Sequence, residues 1–370
     1  MIYLDSAATT FQKPPAVVRA MNEAMASMTS PGRGEYGPSA RASKTLLALR
    51  EEAADLFHVG DPERVVLTTS ATHGLNIAIR TLVRPGCTVL LTGWEHNAVT
   101  RPLAAIPEVR LRTIRAPIFR PDRFLEELDR ELDREVDVMI CTHVSNVFGY
   151  LLPVKEIADR CRQREIPLIV DAAQSAGLLP VDLEGWGAAF VAMPGHKGLY
   201  GPQGTGLLLC GTTGDPILAG GTGSESRRQE MPDFLPDRLE AGTHNVPGAA
   251  GLLAGLRFVR RKTPKELLRH EIRLKNLAAD GLARLPGVQV FHSQSHQSGV
   301  LSFRIPGKDP GQVGDWLSQR GVALRTGLHC APAAHESAGT LETGTLRVSF
   351  SAFNTPKEVE RFLGILARLP

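Results

Sequence analysis

Lys197 lies in a glycine-rich turn with the sequence PGHKGLYGPQGTG, directly after the apolar stretch AAFVAM. Backbone and apolar atoms around a lysine disfavour its charged form, which lowers its pKa and frees the neutral amine for Schiff-base chemistry. A solvated loop lysine is the alternative interpretation. The sequence therefore offers Lys197 as a candidate nucleophilic amine.

Asp171 ends the apolar stretch IPLIVD and is followed by Ala172, Ala173 and Gln174. A carboxylate at the end of a buried strand is costly unless a cationic partner accompanies it. The protonated ring nitrogen of a bound cofactor would be such a partner, and the pairing lets the ring withdraw electrons. An aspartate that caps the next helix explains the same residue equally well.

Small and hydroxyl-bearing residues open the segment SATHGLNIAIR, in which Ser70, Ala71 and Thr72 follow the apolar stretch VVLTT. The free N–H groups and the dipole of a helix that begins here would favour a bound phosphate. N-capping by Ser70 or Thr72 is again the alternative.

Two further segments place polar side chains behind apolar stretches. His96 in GWEHNAVT follows CTVLLT, and His143 and Asn146 lie in THVSNVFG. A histidine in such a place could stack on a flat cofactor and move protons near neutral pH. A structural histidine is the alternative in each case.

Cys330 lies in the loop RTGLHCAPAAH, apart from the apolar stretches that hold the other cysteines. The neighbouring His329 and Arg325 would favour a thiolate, which is the nucleophilic form of cysteine. Arg347 in GTLRVSFS carries a planar guanidinium that could hold a substrate carboxylate, although a surface ion pair is the alternative.

Short apolar stretches alternate with amphipathic ones from about residue 64 to 210, which predicts an α/β fold with a mostly parallel sheet covered on both faces. Ligands of such sheets lie beyond the carboxyl ends of the strands, where the candidate residues fall. The predicted strands are 65–69, 87–92, 109–114, 136–144, 167–171, 188–193 and 205–210, with helices at 39–57, 121–132 and 154–163.

The pattern changes downstream, where two long helices (246–261 and 264–285) precede short strands, a helix near 310–320 and a last helix from Pro356. This pattern predicts a smaller α+β domain. We expect residues 16–254 to form the large domain, and residues 1–15 with 255–370 to form the small domain that carries Cys330 and Arg347.

The chain of 370 residues has a formal charge of +3, which is too weak and too dispersed to favour nucleic acid or an anionic membrane as a partner. The sequence shows neither a signal peptide nor a long apolar run, so we expect a soluble, cytoplasmic protein. Five widely spaced cysteines favour reduced thiols, with no disulfide framework and no metal site.

Taken together, these motifs resemble the class V aminotransferase family of pyridoxal phosphate (PLP) enzymes, in its cysteine desulfurase and selenocysteine lyase branch. The resemblance runs from YLDSAATT at 3–10 to RVSFSAFNT at 347–355. It implies the type I fold of PLP-dependent transferases, like that of aspartate aminotransferase, with a large domain around a mostly parallel sheet and a smaller α+β domain.

The resemblance also implies roles for individual residues. Lys197 would be the Schiff-base lysine, Asp171 the partner of the pyridine nitrogen and Gln174 a neighbour of the ring hydroxyl, with His96 stacked on the ring. The phosphate end would be formed by Ala71, Thr72, His196 and, from the neighbouring subunit of a homodimer, Thr243 of EAGTHN.

For the substrate side, the resemblance implies that Asn146 lies near substrate and cofactor and that Arg347 holds the substrate carboxylate. Cys330 would take sulfur from L-cysteine, leaving L-alanine and an enzyme persulfide that serves a sulfur-acceptor protein, as in iron–sulfur cluster biogenesis. The lysine itself or His96 would act as the base.

One position departs from the family pattern. Members usually have Ser or Thr two places before the histidine of GHK, where the hydroxyl binds phosphate, and this chain has Pro194. We expect the phosphate to lose one hydrogen bond there, which would weaken PLP retention by about 1 kcal/mol.

Four alternatives stay open at this point. The chain could be a selenocysteine lyase, or another class V lyase, epimerase or aminotransferase that does not use Cys330. It could be a non-catalytic sulfur carrier with the same fold, or bind iron or zinc through His329, Cys330 and His335, although these lack metal-ligand spacing.

Overall fold

The computed structural model of the chain describes residues 1–32, 34, 36–132 and 135–370. Helices cover much of it, each beginning near a proline, a capping side chain or a glycine turn. They are α1 (Pro15–Ser27), α2 (Gly37–Phe57), α3 (Ala71–Leu82), α4 (Asn97–Ala104), α5 (Pro121–Leu132), α6 (Val154–Gln163), α7 (Leu183–Trp186), α8 (Val246–Lys262), α9 (Pro264–Ala283), α10 (Pro310–Ser318), α11 (Pro332–Ser337) and α12 (Pro356–Leu366).

The strands are short and mostly apolar. In chain order they are β1 (Ile2–Tyr3), β2 (Val65–Thr68), β3 (Thr88–Leu91), β4 (Arg110–Thr113), β5 (Val138–Thr142), β6 (Leu168–Asp171), β7 (Phe190–Pro194), β8 (Gly206–Cys210), β9 (Gln289–Phe291), β10 (Val300–Arg304), β11 (Val322–Ala323), β12 (Arg325–Gly327) and β13 (Thr345–Ser349).

Within the described residues, one sheet has seven strands in the order β2-β8-β7-β6-β5-β3-β4. The strands β7, β6, β5, β3 and β4 pair in parallel, and β8 runs antiparallel to both of its neighbours. The prediction of an α/β fold with a mostly parallel sheet is confirmed. The outer strand β4 is largely exposed.

Helices cover both faces of this sheet, as the continuous apolar strands require. On one face, Phe57 of α2, Phe124 of α5 and Ile157 of α6 pack in one cluster with Met139 and other sheet residues. On the other face, residues of α3 and α4 pack against the alternate side chains of the same strands. Because the side chains alternate along each strand, β5 and β6 contribute to both clusters.

A second sheet, of order β12-β13-β10-β9, is antiparallel and packs against α9, α10 and α12 around Leu274, Phe303 and Phe362. The N-terminal strand β1 pairs with β11 beside it, and Asp5 bridges to Ser349 at the end of β13. The beginning of the chain therefore lies next to the strand that carries Arg347.

Two turns that follow neighbouring strands pack directly on each other, and this contact can be tested. Gly177 has a φ of +85°, and a Cβ there would lie 2.3 Å from the carbonyl oxygen of Gly198, the residue after Lys197. We expect Gly177→Ala to lower the free energy of unfolding by about 3 kcal/mol, from left-handed strain and the clash together. Urea denaturation followed by circular dichroism measures the loss.

The matched control is Gly86→Ala, because Gly86 has a φ of +87° and its added Cβ would meet nothing within 4 Å. Backbone strain alone should cost this variant about 1 kcal/mol. Equal losses in the two variants would contradict the close contact between the turns.

Candidate active site

A cavity of about 210 Å³ lies at the carboxyl edge of the parallel strands. The ends of β5, β6 and β7 form its floor, and Arg325 of β12 and Arg347 of β13 reach it from the antiparallel sheet. Most residues that the sequence singled out line this cavity: Ala71, Thr72, His96, Asn146, Asp171, Gln174, His196, Lys197 and Arg347.

Asp171 and Lys197 bring opposite charges into this apolar floor. Asp171 is buried at the end of β6, where its Oδ1 accepts a hydrogen bond of 2.9 Å from the N–H of Ala173. Burial raises the pKa of this carboxyl, and Lys197 acts in the opposite direction. Burial also lowers the pKa of Lys197 to about 8, aided by Arg347 and Arg325 and opposed by Asp171. The neutral amine is therefore accessible near neutral pH.

His96 is the N-cap of α4, and its Nδ1 accepts a hydrogen bond of 3.0 Å from the N–H of Ala98. This contact leaves the proton of the neutral ring on Nε2. Burial, with the nearby Lys197 and Arg325, lowers the pKa of His96 to about 4. The ring is thus neutral at pH 7 and presents a flat face and an N–H group to the cavity.

Glu95, which the sequence analysis passed over, fixes the turn that carries His96. It is fully buried and accepts hydrogen bonds of 2.8 Å from the N–H groups of Thr92 and Gly93, in addition to one from the Thr92 hydroxyl. A carboxylate four residues after the end of an apolar strand is the signal that could have indicated this turn.

The beginning of α3 lines one part of the cavity. Ser70 is the N-cap and accepts a hydrogen bond from the N–H of His73, so the hydroxyl capping considered above is real. The N–H groups of Ala71 and Thr72 belong to the first turn, which has no acceptor within the helix. Thr72 is exposed, and Pro194 lines the same end.

Arg347 and Asn146 are joined at the opposite side of the cavity. The buried guanidinium of Arg347 donates hydrogen bonds of 2.9 Å to the carbonyl of Asn146 and 2.6 Å to the carboxylate of Asp5. Asp5 was also missed by the sequence analysis, because its partner lies 342 residues away. Burial lowers the pKa of Arg347, and Asp5 opposes that change.

Cys330 lies on a short loop beside the cavity, and hydrogen bonds fix this loop in place. Its exposed Sγ lies 3.3 Å from Nη2 of Arg325, a cavity residue. The carbonyl of Cys330 accepts from the N–H of Asn97, and the carbonyl of His329 accepts from the side chain of Asn146, at 2.7 and 2.9 Å. The loop is therefore fixed by residues next to His96 and within the cavity.

Other candidates lie elsewhere or have other partners. Gln174 lines the cavity and donates to the carbonyl of Ala7 at 2.9 Å. Thr243 is exposed and lines a different cavity, so a single chain does not bring it to Lys197. His329 and His335 contact Thr345 and Thr340, and the described residues hold no group of three His, Cys, Asp or Glu suited to a metal ion.

Three buried polar atoms that belong to cavity-lining residues have no hydrogen-bond partner: Thr142 Oγ1, Asn146 Oδ1 and Arg347 Nε. Unpaired buried polar atoms are costly, and several around one cavity indicate a polar ligand that pairs with them. The cavity offers this ligand the Asp171 carboxylate, the Lys197 amine and the N–H groups at the beginning of α3.

Because several buried histidines are neutral in the folded chain, the stability of the fold depends on pH. Burial lowers the pKa of His96, His143, His196 and His335 from 6.5 to about 4 in each case. The unfolded chain gains these protons near pH 6.5 and the folded chain only near pH 4. We therefore expect the free energy of unfolding to decrease as the pH is lowered from about 6.5 to about 4. The decrease should be up to about 1.4 kcal/mol per pH unit for each histidine.

Urea titrations at pH 7, 6 and 5 measure this dependence. His143→Asn should make the stability fall less steeply with pH, because His143 contacts the Trp186 ring edge-on and does not line the cavity. Identical slopes in the His143 variant and the unmodified protein would contradict the prediction.

Comparisons with known proteins agree with this arrangement. The family model described as aminotransferase class-V matches residues 2–362. A protein of Methanothermobacter thermautotrophicus named "Probable cysteine desulfurase" is 33% identical over 97% of this chain and 92% of its own length. No described helix is long and apolar enough to cross a membrane.

Solved structures give the same result. The apo structure of a cysteine desulfurase from Thermococcus onnurineus has a TM-score of 0.88 and 29% identity, covering 99% of this chain and 93% of its own. An S-sulfonic acid form of an Escherichia coli cysteine desulfurase has a TM-score of 0.87 and 27% identity, covering 99% and 94%. The fold of the present chain is therefore fold type I, as the resemblance implied. The chain belongs to the class V aminotransferase family.

Proposed function

We propose that this protein is a pyridoxal phosphate-dependent cysteine desulfurase, which removes sulfur from L-cysteine to give L-alanine and a persulfide on Cys330. The observation that carries the proposal is the placement of the exposed Cys330 thiol 3.3 Å from Arg325, at the edge of a cavity that holds Lys197 and Asp171. The relatives named above carry the same activity in their names.

The residues of the cavity fit pyridoxal phosphate in both shape and charge. Asp171 would hold the proton on the pyridine nitrogen, Gln174 would lie near the ring hydroxyl, Asn146 would lie near substrate and cofactor, and His96 would stack on the ring. The first turn of α3 at Ala71 and Thr72, together with His196, would hold the phosphate. When bound, the group supplies an aldehyde that condenses with amines and an electron-withdrawing ring.

Lys197 is the residue whose chemistry depends most on its surroundings. Its pKa near 8 gives a useful fraction of neutral amine at neutral pH, and the same amine can later take a proton from the substrate Cα. His96 donates from Nε2 because Nδ1 is occupied by the Ala98 N–H, so we assign it to stacking and to proton transfer at that nitrogen.

Arg347 would bind the carboxylate of the substrate. Nη1 and Nη2 each have one partner, the Asn146 carbonyl and Asp5, while Nε is buried and unpaired. A carboxylate beside Nε and Nη2 would complete a bidentate pair. Asp5 supplies the negative charge that keeps a buried guanidinium stable when no substrate is present.

Cys330, which lies 3.3 Å from Nη2 of Arg325, would act on the substrate sulfur as a thiolate, the nucleophilic form of cysteine. A sulfur–sulfur bond forms while the bond between Cβ and sulfur breaks, and its electron pair stays on carbon, which takes a proton. The products are L-alanine and the Cys330 persulfide, so atoms and electrons balance without a further reactant. The exposed position of Cys330 suits transfer of this sulfur to an acceptor protein.

We also propose a homodimer, in which Thr243 of each chain contacts the phosphate in the other. Support comes from the exposed position of Thr243 outside the cavity of its own chain.

The domain division that we propose is a large domain of residues 16–254 and a small domain of residues 1–15 and 255–370. The seven-stranded sheet falls wholly in the first and the four-stranded sheet in the second.

Removing the thiol tests the role of Cys330. We expect Cys330→Ala to keep the cofactor absorbance while alanine release from L-cysteine falls at least about a hundredfold, because the acceptor of the sulfur is gone. Alanine and sulfide are measured with a reductant present. Cys87→Ala, at a half-buried cysteine far from the cavity, should keep full activity. Unchanged alanine release by Cys330→Ala would show that Cys330 is not the acceptor of the sulfur.

Replacing the guanidinium of Arg347 by an ammonium group tests substrate binding. Arg347→Lys keeps the charge but cannot form a bidentate pair, so we expect the KM for L-cysteine to rise roughly ten- to a hundredfold with unchanged cofactor absorbance. Initial rates over a range of L-cysteine concentrations give this value. Arg115→Lys, at an arginine whose side chain is 87% exposed, is the control and should change nothing. An unchanged KM in Arg347→Lys would show that the substrate carboxylate does not bind Arg347.

A further inference from the structure

The N-terminal segment that precedes α1 reaches the turn of Lys197 and contacts His196 at several atoms. Thr10 donates to the His196 carbonyl from its N–H at 3.1 Å and from its hydroxyl at 2.9 Å. Lys13 donates to the same oxygen from Nζ at 2.9 Å. The hydroxyl of Thr9 lies 3.3 Å from this carbonyl and 3.0 Å from Nδ1 of the His196 ring.

The Thr9 hydroxyl has one proton and two possible acceptors. A carbonyl oxygen has two lone pairs, and three shorter donors from Thr10 and Lys13 already converge on that of His196. Nδ1 of His196 is closer to the Thr9 hydroxyl than the crowded carbonyl is. This geometry favours donation of the Thr9 proton to Nδ1, which would then be the ring nitrogen without hydrogen.

The state of this ring matters because it is neutral. Burial lowers the pKa of His196 to about 4, and the neighbouring Lys197 and Lys13 act in the same direction. A neutral imidazole carries one hydrogen, on Nδ1 or on Nε2. If Thr9 donates to Nδ1, the hydrogen is on Nε2, and His196 offers a donor to the cavity.

Donors at this end of the cavity are few. His196 lines it together with the first turn of α3 and Pro194, which has neither an N–H group nor a hydroxyl. An anion accepts hydrogen bonds and cannot donate to a bare ring nitrogen. The tautomer of His196 thus decides whether this side chain attracts or repels a phosphate.

We propose that Thr9 is a positioning residue for the anionic group of the cofactor: its hydroxyl donates to Nδ1 of His196 and holds the ring with its hydrogen on Nε2, as a donor to the phosphate. This proposal rests on the proposed function for the identity of the cofactor. It places a determinant of cofactor binding in the N-terminal segment, some 187 residues before the turn that it sets.

Thr9→Val removes the hydroxyl with little change in shape, and Thr9→Ser restores it. We expect Thr9→Val to raise the dissociation constant of pyridoxal phosphate about fivefold, the effect of one hydrogen bond, and Thr9→Ser to return it to near the original value. The dissociation constant is measured by absorbance titration of the apo protein. In a His196→Ala background, Thr9→Val should add nothing, because the ring that it orients is gone.

The second readout is the ¹⁵N chemical shift of the His196 ring in protein labelled at histidine, with His196→Ala used for assignment. The apo protein should show hydrogen on Nε2, and Thr9→Val should show a mixture of both tautomers. Hydrogen on Nδ1 in the unmodified protein, or an unchanged tautomer in Thr9→Val, would overturn the proposal. A similar loss of affinity from Thr9→Val with and without the His196 ring would also overturn it.

These readouts separate this inference from the proposed function. A chain that binds no pyridoxal phosphate would refute the proposed function, and the tautomer of His196 in the apo protein would still decide the role of Thr9. A chain that desulfurates L-cysteine but shows no effect of Thr9→Val would refute this inference alone.

Discussion

The arrangement of this protein depends on burying charge at the carboxyl edge of its sheet. Lys197, Arg325 and Arg347 face one cavity with Asp171, and Asp5 contacts Arg347 from behind. Charges removed from water are tolerated only when paired, and three cations against two carboxylates leave the cavity short of negative charge. Lowering the pKa of Lys197 relieves part of that excess. An anionic ligand relieves the rest, which is why phosphate and carboxylate groups suit the site.

This constraint explains why two sheets and the first residues of the chain meet at one point. The parallel strands supply the carboxylate and the lysine, because their ends converge at this point. The antiparallel sheet supplies the two arginines. Arg325 of β12 lies directly opposite Arg347 of β13 in the strand register. Like charges opposite each other across strands repel. Asp5 offsets that repulsion, and β1 brings it there by pairing with β11.

The sequence predicted what depends on local pattern. Apolar runs located the seven strands of the large sheet, and the helices 121–132 and 154–163 have the predicted bounds. Polar residues that follow strands, such as Asp171 and His96, were located because parallel strand ends share an edge. Asp5 and Thr9 were missed because only folding brings their partners close, whereas Glu95 was missed although its partners lie two and three residues away in the chain. Thr243, which the resemblance implied at the phosphate of a neighbouring subunit, lines a different cavity of its own chain.

The Cys330 loop shows how the same cavity restrains a reactive group without burying it. His329 and Cys330 both adopt left-handed backbone conformations, with φ of +51° and +58°, which cost energy for residues with side chains. Hydrogen bonds from Asn146 and Asn97 to their carbonyls hold them there. Asn97 begins α4 directly after His96, and Asn146 also contacts Arg347. The thiol is therefore aligned by the groups that would orient cofactor and substrate, while its sulfur stays open to an acceptor.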